Sequence, residues 1–174
     1  MDLRYPIGQF QWAGTSTPEE RRHWIEQIGR LSSELLAAAG GLTHEQLDTR
    51  YRDGGWTVRQ VIHHVADSHI HSYLRCKLAL TEDQPTIKAY DEKVWAELPD
   101  SLTAPCEISL SLLDSLHRRW VVVWKNVAEN EWSRSYRHPE HGPVSLEMTL
   151  AHYAWHGRHH TAHIKGLRER MNWT

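Results

Sequence analysis

One periodic segment near the C-terminus restricts the fold of this chain more than any other feature. Between residues 146 and 171, apolar residues recur at alternating steps of four and three, which places them on one face of a long α-helix. The series consists of Leu146, Leu150, Tyr153, Gly157, His160, Ile164, Leu167 and Met171. Because a helix with one apolar face must bury that face against other elements, the segment predicts a packed helical domain.

Three further long helices are predicted upstream. The first begins at Thr17, which forms a capping box with Glu20, and the second begins at Thr57, which does so with Gln60. The third covers about residues 107–130. Four long helices without a convincing pair of strands predict an all-α protein of the four-helix-bundle type.

The remaining segments are interpreted as connections. Residues 82–106 contain three prolines and predict a long link with one short helix around Tyr90–Leu98, which indicates a crossover connection. A short helix is predicted at residues 43–47, and a loop with room for a short hairpin at 131–144. Residues 1–15 predict an extended N-terminal arm, and the chain as a whole, residues 1–174, predicts a single domain.

Composition excludes several classes of partner and location. The formal net charge is −2 and the basic residues are scattered, so no charged patch favours nucleic acid or an anionic membrane surface. The two cysteines, Cys76 and Cys106, do not form a disulfide framework. The N-terminus lacks the apolar core of a signal peptide, and no stretch approaches the roughly 20 apolar residues of a membrane helix. We therefore predict a cytoplasmic protein.

Nine of the 14 histidines fall in two runs, VIHHVADSHIH and HYAWHGRHHTAH. His160 lies on the apolar face of the last helix and His156 lies one turn earlier on the same side, where two imidazoles can bind one metal ion. A single histidine on such a face is more often a hydrogen-bonded core residue. Two buried imidazoles without partners would each cost about 1–3 kcal/mol, and one ion satisfies both. His152, His159 and His163 lie further round the helix. We expect them to be solvated, to orient a ligand from behind, or to contact a second subunit.

A third ligand is expected from the first histidine run. His63 and His64 flank the apolar stripe of their helix on opposite sides, and periodicity does not choose between them. Asp67 lies one turn beyond and could orient a ligand imidazole, although a solvated carboxylate is the simpler interpretation. Three histidines without a fourth protein ligand leave an open coordination position, which is typical of a catalytic metal. That position would hold a water, whose pKa the metal lowers to about 7, or a thiolate from a cosubstrate.

The sequence resembles the DinB-like superfamily of metal-binding four-helix bundles, and within it the YfiT-type metal-dependent hydrolases. The resemblance covers nearly the whole chain. It rests on YPIG at residues 5–8, YRDGGWTVRQVIHHVADSH at 51–69, YDEKVW at 90–95 and YAWHGRHHTAHI at 153–164.

The resemblance implies which histidines bind the metal. The first ligand would be His64, in the HVAD step, and the other two would be His156 and His160, followed by Ile164. It also implies one divalent ion per subunit, zinc or nickel, a bundle with a crossover, and a homodimer. Residues 137–144 are expected to differ in length from relatives, so the ligands are carried over by local motif.

The resemblance implies a metal-dependent hydrolase that acts on a small molecule through an activated water. Related bundles are S-transferases that use a low-molecular-weight thiol such as bacillithiol, so a thiol S-transferase is the alternative. A third hypothesis is a non-catalytic metal-binding interaction protein. The sequence contains no GxSxG, P-loop or GxGxxG motif, and the catalytic residues are unknown. No role is assigned to His63, His69, His71, His152, His159 or His163.

Overall fold

The structure is a computed structural model that describes residues 2–173. Its helices are α1 (Pro18–Ala39), α2 (His44–Leu47), α3 (Val58–Thr81), α4 (Glu92–Ala96), α5 (Pro99–Thr103), α6 (Cys106–Lys125) and α7 (Leu146–Met171). Between α6 and α7 lie a turn of 3-10 helix (Glu129–Glu131) and two strands, β1 (Ser135–His138) and β2 (Gly142–Ser145). Residues 2–17 precede α1 and contain neither helix nor strand.

The helix starts agree with the predicted capping residues. The Thr17 side chain accepts a hydrogen bond from the Glu20 amide, and the Glu20 carboxylate accepts one from the Thr17 amide. Thr57 and Gln60 form the same reciprocal pair at α3, and Ser145 caps α7. Each such cap contributes about 1 kcal/mol to helix stability.

Two boundaries differ from the sequence prediction. The third long helix, α6, ends at Lys125 rather than near residue 130, because Asn126 leaves helical geometry and caps it. The link between α3 and α6 contains two short helices instead of one, since Pro99 starts α5 directly after α4. Pro99 suits the first turn of a helix, where its missing N–H is not needed.

The buried apolar residues form two clusters that follow one another along the bundle axis. The first cluster includes Leu31, Leu35, Val61, Val65, Leu110, Leu113, Ile164 and Leu167. The second cluster includes Ile25, Ile28, Tyr73, Cys76, Trp120, Trp124, Leu146 and Leu150. Along α3 and α6 the chain passes from the first cluster to the second, whereas along α1 and α7 it passes from the second to the first. The long helices therefore run up, down, down and up.

The packing of the long helices confirms a bundle with a crossover. α1 packs on α6 and α7, and α3 packs on α6 and α7, so α1 and α3 lie across a diagonal. α3 and α6 are parallel neighbours, which requires residues 82–105 to return the chain to the end where α3 began. This link is the predicted crossover.

The hairpin of β1 and β2 covers one flank of α3. Its strands are antiparallel, with Tyr136 opposite Val144, and the Arg137 backbone bonds to the crossover at Pro85 and Ile87. The segment was predicted as a loop with room for a hairpin, and the structure contains the hairpin. Between residues 2 and 173, no helix is both long and apolar enough to cross a membrane.

Candidate metal centre

Three imidazoles converge between α3 and α7. The Nε2 atoms of His64 and His156 lie 3.3 Å apart. The His160 ring centroid lies 4.9 Å from that of His64 and 4.5 Å from that of His156. One ligand nitrogen from each ring lies within 4.8 Å of the other two. The histidines selected from the sequence are thus brought together in space.

Local helix geometry explains the convergence. His156 and His160 are one turn apart on α7 and point to the same side. Gly157, between them, lets α1 approach closely, since a Cβ at this position would lie 2.2 Å from Leu31 Cδ2. His64 comes from α3, which packs on the adjacent side of α7.

Burial keeps all three imidazoles neutral at physiological pH. Desolvation lowers the pKa of His64 to about 4, with a smaller contribution from His159. Desolvation also lowers the pKa of His156 and His160 well below the usual value, and neighbouring histidines add to the effect. A neutral imidazole keeps the lone pair that a metal ion needs.

The spacing of the nitrogens fits a tetrahedral divalent ion. Zinc binds imidazole nitrogens at about 2.0–2.1 Å, so two ligands of a tetrahedral site lie about 3.3 Å apart. The Nε2 atoms of His64 and His156 have this separation. Nitrogen donors of this type suit both zinc and nickel.

A hydrogen-bonded chain behind His160 fixes its ring orientation. His163 Nε2 lies 3.2 Å from the Arg4 carbonyl oxygen, which can only accept, so this nitrogen carries the His163 proton. Burial lowers the pKa of His163 to about 4, so its Nδ1 keeps a lone pair. That lone pair accepts from His160 Nδ1, 3.4 Å away. The His160 Nε2 lone pair therefore remains available to a metal ion.

A second chain lies behind His156. His156 Nδ1 is 3.3 Å from His69 Nε2, and His69 Nδ1 is 3.0 Å from His117 Nε2. His69 and His117 are almost completely buried, and burial lowers the pKa of His117 to about 4. Within residues 2–173, the outer nitrogen of this chain, His117 Nδ1, has no hydrogen-bond partner.

The three histidines line a cavity of about 510 Å³. Its other walls are formed by Trp56, Ser68, Arg75, Ala89, Tyr90, Glu92, His138, Glu140, His141 and Tyr153. The Trp56 ring packs against His64 with centroids 4.6 Å apart. Burial raises the pKa of Tyr90 and Tyr153, so both hydroxyls stay protonated at neutral pH. The cavity thus offers neutral donors beside the three histidines.

The other residues considered from the sequence have different surroundings. His63 points away from the cavity, toward Ser109 Oγ at 2.7 Å and the Ala104 carbonyl at 3.2 Å. In the part of the chain that is described, Asp67 makes no side-chain hydrogen bond to His64, His156 or His160. Its pKa is raised to about 6, mainly by burial. His71 stacks on Tyr90.

The solvated alternative for His159 and His163 is wrong. Both are buried, because the N-terminal arm around Arg4 and the ring of Tyr51 cover that face of α7. His163 supports His160 from behind, as one of the three alternatives for this residue predicts, and His159 stacks on Trp155. His159, His160 and His163 also bring nitrogens within 4.8 Å of one another, as do ligand atoms of His138, Glu140 and His141 on the hairpin.

The hydrogen-bonded chain behind His156 was not predicted from the sequence. His117 is a polar residue within the apolar stripe of α6, four residues after Leu113 and three before Trp120. A histidine at such a position is expected to be buried and therefore to need a hydrogen-bond partner. His69 had no such signal, because its partners lie on two other helices.

Comparison with known proteins identifies the family. Residues 27–164 match the DinB superfamily. The chain belongs to this superfamily. Over 172 residues, and 99% of both chains, it is 56% identical to a Bacillus mycoides (strain KBAB4) protein named "putative metal-dependent hydrolase". A Bacillus cereus (strain B4264) protein of the same name is 55% identical over the same share.

A solved structure matches the whole chain. Its description reads "YfiT from Bacillus subtilis is a probable metal-dependent hydrolase with an unusual four-helix bundle topology". The TM-score is 0.97, with 45% sequence identity and complete coverage of both chains. The resemblance to YfiT-type proteins inferred from the sequence is confirmed.

Proposed function

We propose that this protein is a metal-dependent hydrolase in which His64, His156 and His160 hold one divalent ion, zinc or nickel. The convergence of three neutral imidazoles on an open cavity carries the proposal. Among residues 2–173, no fourth Cys, Asp, Glu or His belongs to this group. Three protein ligands and an accessible fourth position are typical of catalytic sites.

The residues around the site suit hydrolysis of a small molecule. A divalent ion held by these three histidines would supply Lewis acidity, which would lower the pKa of a water bound to it to about 7. Tyr153, protonated and held by Ser68 Oγ at 3.3 Å, can donate a hydrogen bond to a substrate carbonyl oxygen. Trp56 supplies an apolar wall that excludes water from one side of the cavity.

The ligand assignment is tested by metal analysis of purified variants. The wild-type protein is expected to carry about one ion per chain, and His64→Ala, His156→Ala and His160→Ala are each expected to lose it. His152→Ala is the matched control, because His152 lies one turn before His156 on α7 and is outside the group. Retention of a full complement by His160→Ala would refute the assignment.

The reaction class is tested by turnover. Metal-loaded protein is expected to hydrolyse a simple ester such as 4-nitrophenyl acetate without added thiol, and His160→Ala is expected not to. Turnover of a haloaromatic electrophile that requires a low-molecular-weight thiol would replace the hydrolase by a thiol S-transferase. One bound ion without either activity would favour a non-catalytic metal-binding interaction protein.

A further inference from the structure

Arg75 lies on the same face of α3 as His64. The two residues are 11 positions apart, which corresponds to about 16 Å along the helix and about 20° of rotation. The side chain is 9% exposed and lines the cavity that contains the three histidines. A permanent positive charge therefore lies in the wall of the proposed active site, away from the metal-binding nitrogens.

Arg75 differs from the other buried arginines in lacking an acidic partner. Arg21 pairs with Glu129 at 2.5 Å, and Arg59 pairs with Asp48 at 2.7 Å. Throughout residues 2–173, no carboxylate lies within salt-bridge distance of Arg75. Its Nε has no hydrogen-bond partner, and its Nη2 reaches only a backbone carbonyl at 3.5 Å.

An unpaired buried guanidinium is costly and cannot be relieved by deprotonation. The fold neutralises Arg21 and Arg59 with its own carboxylates, but it leaves Arg75 in the wall of a cavity large enough for a small molecule. A ligand with an oxyanion could supply the missing partner in a bidentate geometry.

The charges around the cavity favour a singly charged anion. Arg75 is the one Lys or Arg among the lining residues, and Glu92 and Glu140 place two carboxylates in the same wall. A dianionic phosphate would be repelled by these carboxylates, and its two negative charges would meet only one cation. A carboxylate group matches Arg75 one to one.

We propose that Arg75 binds a carboxylate group of the substrate while the bond to be cleaved lies at His64, His156 and His160. The substrate class is then a small molecule with a carboxylate at one end and a hydrolysable ester or amide at the other. This inference rests on the proposed hydrolase function. Arg75 acts as a specificity-determining residue.

The test is a titration of zinc-loaded protein with butyrate, followed by NMR at the Arg75 Nε–H signal, which is assigned by its loss in Arg75→Gln. Butyrate is expected to shift this signal saturably, and to bind at least about tenfold more tightly than inorganic phosphate or the neutral isostere butyramide, the gain expected for a charge-assisted pair. Isothermal titration calorimetry with butyrate measures the variants without this signal: Arg75→Gln is expected to lose saturable binding, whereas Arg119→Gln, which removes an exposed arginine of α6, is expected to retain it.

Thermal melting gives a readout that a structural role would not produce. The melting temperature of Arg75→Gln is expected to equal or exceed that of wild type, because the substitution removes an unpaired buried charge. Butyrate is expected to raise the melting temperature of wild type only. A large decrease in the melting temperature of the variant, unchanged butyrate affinity in the variant, or phosphate binding as tight as that of butyrate would overturn the proposal.

Failure of this inference can be distinguished from failure of the proposed function. The same titration in His160→Ala, which is expected to lack metal, should still shift the Arg75 signal. Butyrate binding at Arg75 without ester hydrolysis would remove the hydrolase function alone. Ester hydrolysis without butyrate binding at Arg75 would remove the carboxylate site alone.

Discussion

The two histidines of α7 that face the site are supported by hydrogen-bonded chains that end differently. The chain behind His160 passes through His163 and ends on the Arg4 carbonyl, a backbone group that only accepts. The chain behind His156 passes through His69 and ends on His117, whose outer nitrogen has no partner among the described residues.

The difference concerns how firmly each of the two histidines is held in one tautomer. A carbonyl anchor sets the direction of every hydrogen bond before it, so His160 has one tautomer with or without metal. His156 and the two imidazoles behind it, His69 and His117, can donate in either direction, and only a metal ion bound at His156 Nε2 would select one direction. We therefore expect His160 to be preorganised and His156 to be ordered by binding.

The largest expected effect is a loss of stability in acid. It would show that the hydrogen-bonded chains behind His156 and His160 both require neutral imidazoles. Burial lowers the pKa of His117 and His163 from 6.5 in the unfolded chain to about 4. The unfolded state therefore takes up protons first, so this stability is complete above about pH 6.5 and is lost as the pH falls toward 4. For His117 alone the change corresponds to about 3 kcal/mol.

Thermal melts of chelator-treated protein between pH 8 and pH 4.5 measure this effect. His117→Phe should reduce the pH dependence by the part that His117 contributes, whereas His44→Gln, which changes an exposed histidine of α2, controls for substitution itself. A melting temperature that stays constant over this range would contradict the neutral assignment.

The next largest effect is expected when the hydrogen bond from His160 to His163 is removed. His163→Phe removes the acceptor for His160 Nδ1 and is expected to weaken metal binding by about 10–100-fold. Competition with a chromogenic chelator measures the change. His159→Phe is the matched control, since His159 is buried on the same face but stacks on Trp155 and lies outside the chain. An equal loss in both variants would show that packing, and not the hydrogen bond, is responsible.

The close contact of α1 with α7 occurs at Gly157, between His156 and His160, from which the two hydrogen-bonded chains start. Gly157→Ala introduces a methyl group that meets Leu31, a buried residue with little room to move, and is expected to lower the free energy of unfolding by about 1–3 kcal/mol. Gly166→Ala on the same helix meets only the end of the Arg170 side chain at 3.3 Å. It is expected to be neutral or to stabilise by up to about 1 kcal/mol. Urea unfolding of both variants gives the comparison.

The smallest effects are expected in the hydrogen-bonded chain behind His156, which does not end on a backbone carbonyl. His69→Phe should weaken metal binding by about tenfold, at the lower end of the usual range, and His117→Phe by a few-fold. The same chelator competition ranks His163, His69 and His117. A loss in His69→Phe as large as that in His163→Phe would mean that the carbonyl anchor makes no difference.

Much of the fold could be predicted because its determinants are local. Capping boxes at Thr17 and Thr57 and the four-three spacing of α7 depend only on residues within a few positions of one another. The same periodicity selected His156 and His160 as an inward pair. The end of α6 was placed too late, because the apolar pattern continues to Val127 after the helix ends at Lys125.

The sequence by itself determined the four long helices, the inward pair on α7 and, through family resemblance, the choice of His64. Tertiary structure decided everything that depends on which helices are neighbours. The chain from His156 to His117 exists because α6 packs on α3, and His163 is anchored because the N-terminal arm covers α7. Arg75 carries no local signal, since a missing acidic partner is a property of the whole surrounding fold. Hydrogen bonds and burial act between residues far apart in the chain, whereas helical periodicity acts within a few turns.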